Sequence, residues 1–126
     1  MEMKFYFCKH CGNIVVYAEN KGVPVVCCGE KMVELVPNTV EASTEKHLPV
    51  IVVDGNKVTV KIGSVEHPMV PNHYIQWVVL ATKQGYQRKA LEPGMAPEAC
   101  FMLCSDDEVV AAYEYCNLHG LWKSTI

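Results

Sequence analysis

The sequence lacks any apolar run long enough to cross a membrane. Stretches such as Trp77–Ala81 fall far short of the roughly 20 residues a spanning helix needs. It lacks a basic excess as well. The net charge is −3 and the isoelectric point lies near 5.9, against the profile of a general nucleic-acid binder. The opening residues Met1–Cys8 contain no apolar stretch of signal-peptide length and no small-residue cleavage site. Internal repeats and low-complexity segments are missing too. These absences place the protein in the cytoplasm, with no membrane and no nucleic-acid partner. What is present is a globular composition, half hydrophobic and one fifth charged over 126 residues. There are also seven cysteines, an odd number in a compartment that keeps thiols reduced, so they need a purpose other than pairing.

Four of them, Cys8, Cys11, Cys27 and Cys28, stand in a first segment of 36 residues. A segment below about 40 residues rarely holds a core without disulfides, a metal or a partner. Its charges cancel, Lys4, Lys9, Lys21 and Lys31 against Glu2, Glu19, Glu30 and Glu34. Pro37-Asn38-Thr39 marks the boundary, giving domains 1–36 and 37–126. Cys8-Lys9-His10-Cys11-Gly12 is a C-x-x-C turn, and Cys27-Cys28-Gly29 supplies two more sulfurs. Four thiolates at this spacing suit a tetrahedral metal, with iron and zinc both open. The adjacency of Cys27 and Cys28 predicts a distorted tetrahedron. Two disulfides or buried thiols are the alternative, disfavoured by the reducing cell. His10 reads as a solvent-facing residue.

From Pro49 onward the pattern is β. Val50–Val53, the turn Asp54-Gly55-Asn56 and Val58–Ile62 form a hairpin signal. Further strands are expected at His73–Thr82, Tyr86–Leu91, Cys100–Leu103 and Leu121–Ile126. Ser105-Asp106-Asp107-Glu108 resembles a capping box, which favours a helix over Val109–Tyr115. The paired valines and tyrosines there favour a strand, and a strand is the expectation. Short strands with turn signals every eight to twelve residues point to an all-β sandwich. Cys100 and Cys104 read as buried free thiols acting as small hydrophobes. Trp77, Tyr74 and Trp122 read as packing.

The remaining histidines outside the first segment are His47, His67, His73 and His119, each close to a Pro or Gly turn. Singly, each is an ordinary histidine. Cys116-Asn117-Leu118-His119 adds a cysteine at ligand spacing, so the five together make a stronger case for a shared metal site than any one alone, although spacing does not show that they converge.

Five segments then carry a resemblance over nearly the whole chain: the front cysteines, Glu45-Lys46-His47-Leu48-Pro49, Val65-Glu66-His67-Pro68-Met69, His73-Tyr74-Ile75-Gln76-Trp77, and Glu114-Tyr115-Cys116-Asn117-Leu118-His119-Gly120. In that order they resemble the desulfoferrodoxins, two-iron superoxide reductases. The resemblance implies a desulforedoxin-like domain with an Fe(Cys)4 centre, followed by an immunoglobulin-like β-sandwich with a catalytic non-haem iron. It implies His47, His67, His73 and His119 as equatorial ligands and Cys116 as the axial thiolate of that iron. It further implies superoxide as substrate, hydrogen peroxide as product, a homodimer, and a small electron donor of the rubredoxin kind. Glu45 would close the iron's sixth position after turnover. Lys46 would draw in the anion and organise proton delivery, a positive charge at ~6 Å being worth on the order of 3 kcal/mol at an effective dielectric of 20. Without the resemblance, Glu45 and Lys46 read as a solvated charge pair. An electron-transfer module with an idle β domain, and a zinc-stabilised binding protein, are the competing functions.

Overall fold

The structure is a computed structural model and describes residues 2–126. Its element order is twelve strands interrupted by one helical turn, and the chain divides into two compact units, Met1–Val36 and Pro37–Ile126.

In the first unit, β1 (Phe5–Phe7) pairs antiparallel with β2 (Ile14–Val15) on one side and β5 (Val33–Leu35) on the other. A separate ribbon joins β3 (Val26–Cys27) to β4 (Glu30–Lys31). Phe5, Cys8 and Met32 are the buried hydrophobics among its described residues. Three such side chains, at about 1.5–3 kcal/mol each, fall well short of the ordering entropy of some 36 residues. The unit needs a cross-link, and its four cysteines are the groups available for one.

The second unit is two facing antiparallel sheets. One has the order β10-β7-β6 and the other β12-β11-β8-β9. Three strands against four is the count of a constant-type immunoglobulin sandwich. The expected hairpin is present: β6 (Pro49–Asp54) pairs with β7 (Lys57–Ile62) around Gly55, whose φ of 60° suits a tight hairpin turn. On β7, Val58, Val60 and Ile62 alternate inward. They meet Ile75, Val78 and Leu80 of β8 (Ile75–Thr82), Ala99 and Phe101 of β10 (Glu98–Met102), and Ala112 and Cys116 of β11 (Val109–Cys116). The edge strands β9 (Gly85–Ala90) and β12 (Gly120–Thr125) complete the larger sheet.

A single helical turn, α1 (Thr44–His47), carries His47. Two expectations need correcting. The strand expected from His73 begins at Ile75, and His73 sits in an isolated bridge to Val70. Cys100 and Cys104 are exposed, not buried. Alternation on β10 explains Cys100: Ala99 and Phe101 take the inner face, so Cys100 must point outward. Cys104 lies past the end of that strand.

Candidate metal centres

All seven cysteines are free. In the first unit the sulfurs of Cys8, Cys11, Cys27 and Cys28 lie within 4.8 Å of one another. The C-x-x-C turn closes through Gly12 N–H to the Cys8 carbonyl at 2.9 Å and Cys8 N–H to the Asn13 carbonyl at 2.9 Å. Cys28 adopts a left-handed φ of 52°, followed by Gly29 at 77°, and this bend lets two adjacent residues present sulfur to one point. Cys11 Sγ and Cys27 Sγ stand 3.6 Å apart. Four sulfurs ~2.3 Å from a tetrahedral metal would be ~3.8 Å apart. The sulfurs of Cys8 and Cys27 also receive hydrogen bonds, from Cys11 N–H at 3.5 Å and from Asn13 Nδ2 at 3.7 Å. The Cys11 amide pulls the Cys8 thiol down to about 6, whereas the sulfurs of Cys11, Cys8 and Cys27 push Cys28 up to about 12. Four thiolates cannot accumulate here without a cation, and a metal supplies one. His10 is exposed as expected, its Nε2 3.3 Å from Glu30 Oε2.

The second cluster gathers four histidines from three separate segments. His47 ends α1, His67 and His73 lie in the connection between β7 and β8, and His119 lies in the turn between β11 and β12. Their rings form a closed cycle. The centroid separations are 4.7 Å for His47–His67, 4.7 Å for His67–His73, 5.1 Å for His73–His119 and 4.9 Å for His119–His47. Each neighbouring pair is close to perpendicular, at 73° to 88°.

The ring nitrogens settle what the cycle fits. His47 Nδ1–H donates to the Ser43 carbonyl at 2.6 Å, and His67 Nδ1–H donates to the Pro68 carbonyl at 2.6 Å. In each neutral ring Nε2 is therefore a bare lone pair. These two lone pairs face one another at 3.2 Å, and His47 Nε2 is 3.1 Å from His119 Nδ1. Adjacent nitrogens on a square around a metal at ~2.1 Å would be ~3.0 Å apart. His73 Nε2 is buried with no hydrogen-bond partner among the described residues. Burial pushes His67 down to about 4 and lowers His47 and His73 too, so the rings stay neutral and ligand-ready. Lone pairs meeting lone pairs in a buried space is an arrangement that a cation resolves.

Cys116 Sγ groups with His47, His67 and His73 within 4.8 Å and lies 3.9 Å from His119 Nδ1. Cys116 is fully buried. Burial raises its pKa, and the backbone amides of Leu118 and His119 oppose this by favouring the thiolate. Two devices hold the ligand segments in place. Asn117 ties the C-x-x-H turn to the His73 segment: its Oδ1 accepts from Tyr74 N–H at 2.9 Å, its Nδ2 donates to the Asn72 carbonyl at 3.0 Å, and its own N–H donates to the Tyr74 carbonyl at 3.2 Å. The turn after β7 holds α1, with Val65 N–H donating to the Glu45 carbonyl at 3.0 Å.

The profile described as Desulfoferrodoxin matches residues 39–125. The chain belongs to the desulfoferrodoxin family. It is 46% identical over 123 residues to the desulfoferrodoxin of Syntrophotalea carbinolica, covering 98% of this chain and 96% of that one. Against the desulfoferrodoxin of Nitratidesulfovibrio vulgaris the identity is 45%, with the same two coverages. Among solved structures, the superoxide reductase of Treponema pallidum superposes with a TM-score of 0.84 at 43% identity, over 99% of this chain and 100% of that one. The superoxide reductase of Giardia intestinalis is matched over 97% of its length by 65% of this chain, at 32% identity and a TM-score of 0.55.

Glu45 and Lys46 lie on α1 next to His47, and both are exposed. The positive charge of Lys46 adds to the lowering of both His47 and His73, which places it within electrostatic range of two rings of the cycle. One buried group had no signal in the sequence. Glu114, two residues before Cys116, is completely buried with neither oxygen bonded among the described residues, and burial holds its carboxyl far above the ordinary range. An acidic residue in a strand reads as outward-facing, and only the register of β11 against β8 and β12, which sets Glu114 opposite Val78 and Trp122, reveals otherwise.

Proposed function

We propose that this chain is a superoxide reductase, converting superoxide to hydrogen peroxide at an iron held by His47, His67, His73, His119 and Cys116. A second iron would sit among Cys8, Cys11, Cys27 and Cys28. The observation that carries the reading is the closed cycle of four imidazoles whose ring nitrogens converge beside a fully buried sulfur. Four imidazole ligands and one thiolate would leave a divalent cation with net positive charge. Ferrous iron bound there would supply the one electron that, with two protons, turns superoxide into hydrogen peroxide.

The chain's own residues supply the rest. Cys116 lies on the sealed side, while His73 and His119 are half-buried and Lys46 is exposed, so the anion enters from the Lys46 side. Lys46 raises the local concentration of an anionic substrate and keeps a proton-bearing group beside it. Glu45, its neighbour on α1, is the carboxylate proposed to close the site after turnover. A thiolate at Cys116 would donate electron density to an iron held there, as thiolate ligands do in haem proteins. Residues 1–36 act as the desulforedoxin-like unit and residues 37–126 as the catalytic sandwich. The electron donor proposed is a small protein of the rubredoxin kind, and the working form a homodimer in the cytoplasm. Among the described residues no helix is long and apolar enough to cross a membrane.

Anaerobic reconstitution with ferrous iron, followed by an iron count and a superoxide-consumption assay, tests the proposal. Two irons per chain and stoichiometric peroxide without evolved oxygen are expected. One iron with no reaction would reassign the chain to electron transfer. Zinc alone, refusing exchange for iron, would make it a non-redox protein.

A further inference from the structure

Trp122 is almost fully buried, and its surroundings are those of two ligand segments at once. Its ring stacks on the His47 imidazole, with centroids 4.9 Å apart and planes at 23°. Its indole Nε1–H donates to the His119 carbonyl at 3.1 Å. His47 and His119 are neighbours in the cycle, with ligand nitrogens 3.1 Å apart. One rigid side chain thus fixes the plane of one ring and the backbone of the turn that presents the other.

Trp122 is itself held. Asn38, in a left-handed conformation with φ of 63°, lies against the exposed edge of β12 and treats it as a strand would. Its N–H donates to the Leu121 carbonyl at 3.0 Å, its Oδ1 accepts from Lys123 N–H at 2.8 Å, and its Nδ2 donates to the Lys123 carbonyl at 3.1 Å. These bonds bracket Trp122 on both sides in sequence. The other pair in the cycle is secured differently, since His67 is locked by the Pro68 carbonyl and the His73 segment by Asn117.

We infer that Trp122 is a positioning residue for the histidine centre, setting the angle between His47 and His119. The inference rests on the metal-binding reading of that cluster. Outer residues that orient metal ligands typically contribute 10- to 100-fold to metal affinity or activity. Aromatic stacking fixes the ring plane, and a hydrogen bond to the carbonyl one turn away fixes the backbone.

The test compares Trp122→Leu, which loses stack and donor, with Trp122→Phe, which keeps a smaller aromatic face and loses the donor. Each variant is loaded anaerobically with ferrous iron and challenged with a ferrous chelator. The visible absorption of the four-cysteine centre serves as an internal reference, and the electron-paramagnetic-resonance signal of the oxidised second centre is recorded. Trp122→Leu should weaken iron retention at the histidine site about 10- to 100-fold, and Trp122→Phe about fivefold. Both should change the second signal and leave the first untouched. A residue that only fills the core would lower the melting temperature while folded molecules kept the parent's affinity and signal, and that result overturns the inference. Should Trp122→Leu not fold, Trp122→Phe decides alone: parent-like retention and signal refute the positioning role. Failure of the parent itself to hold iron at the histidines would sink the metal reading instead, a separable outcome.

Discussion

His67 offers the sharpest quantitative prediction. It is 2% exposed, and burial pushes its pKa from 6.5 to about 4. In the unfolded chain it would titrate near 6.5. Between those values the unfolded chain takes up a proton that the folded chain refuses, so stability falls as pH falls through this window. The whole interval corresponds to about 3 kcal/mol, of which about 2.5 kcal/mol is gone by pH 4.5. The perturbation is His67→Gln, which keeps a polar side chain and removes the titration. Urea unfolding of the Pro37–Ile126 unit is followed within the whole chain by tryptophan fluorescence, with the histidine site kept metal-free. At an m-value of about 1 kcal/mol/M, the parent's midpoint should drop about 2.5 M further than the variant's between pH 7.5 and pH 4.5. Equal losses in the two proteins would show that His67 titrates normally in the folded state, and the neutral, ligand-ready ring would have to be abandoned.

Cys116→Ser should abolish superoxide reduction while the absorption of the four-cysteine centre stays intact; full activity would remove the thiolate from the reaction. Lys46→Ala should slow the reaction with superoxide roughly tenfold and flatten its dependence on ionic strength, measured by pulse radiolysis across a salt series. An unchanged rate and slope would leave Lys46 an ordinary surface charge. Gly63→Ala should destabilise the fold by about 3 kcal/mol, read by urea unfolding. At φ of 84° the added methyl would press on the Val65 carbonyl and on those of Lys46 and Glu45, at 2.8 and 2.9 Å. A neutral result would mean that the turn after β7 is free to move away from α1.

What the sequence made legible was local. The hairpin of β6 and β7 follows from β-branched residues on either side of a glycine turn, and the four front cysteines lie within a span too short to fold otherwise. Residues 109–116 carry conflicting signals, a capping box against paired valines and tyrosines. The strand prevails because β11 is flanked by β8 and β12 and exchanges hydrogen bonds on both edges. The single turn of α1 has no propensity signature, and its Ser43 makes no side-chain cap. It is held from outside, by the Val65 and Ser64 bonds to the Glu45 carbonyl. Convergence of the histidines was visible only through resemblance, because it depends on Cys116 pairing with Ile75 across the sheet. The exposure of Cys100 escaped detection for a related reason: which residues of a strand face inward is decided by its partner's register.

Cys100 and Cys104 face solvent, while Cys116 is sealed beneath the imidazole cycle. Air or a thiol-blocking reagent will therefore reach these two sulfurs before it reaches Cys116. A purified sample that runs partly as covalent multimers on a non-reducing gel has aged at its surface, and it should regain a single band with mild reductant while its working sulfur has stayed untouched throughout.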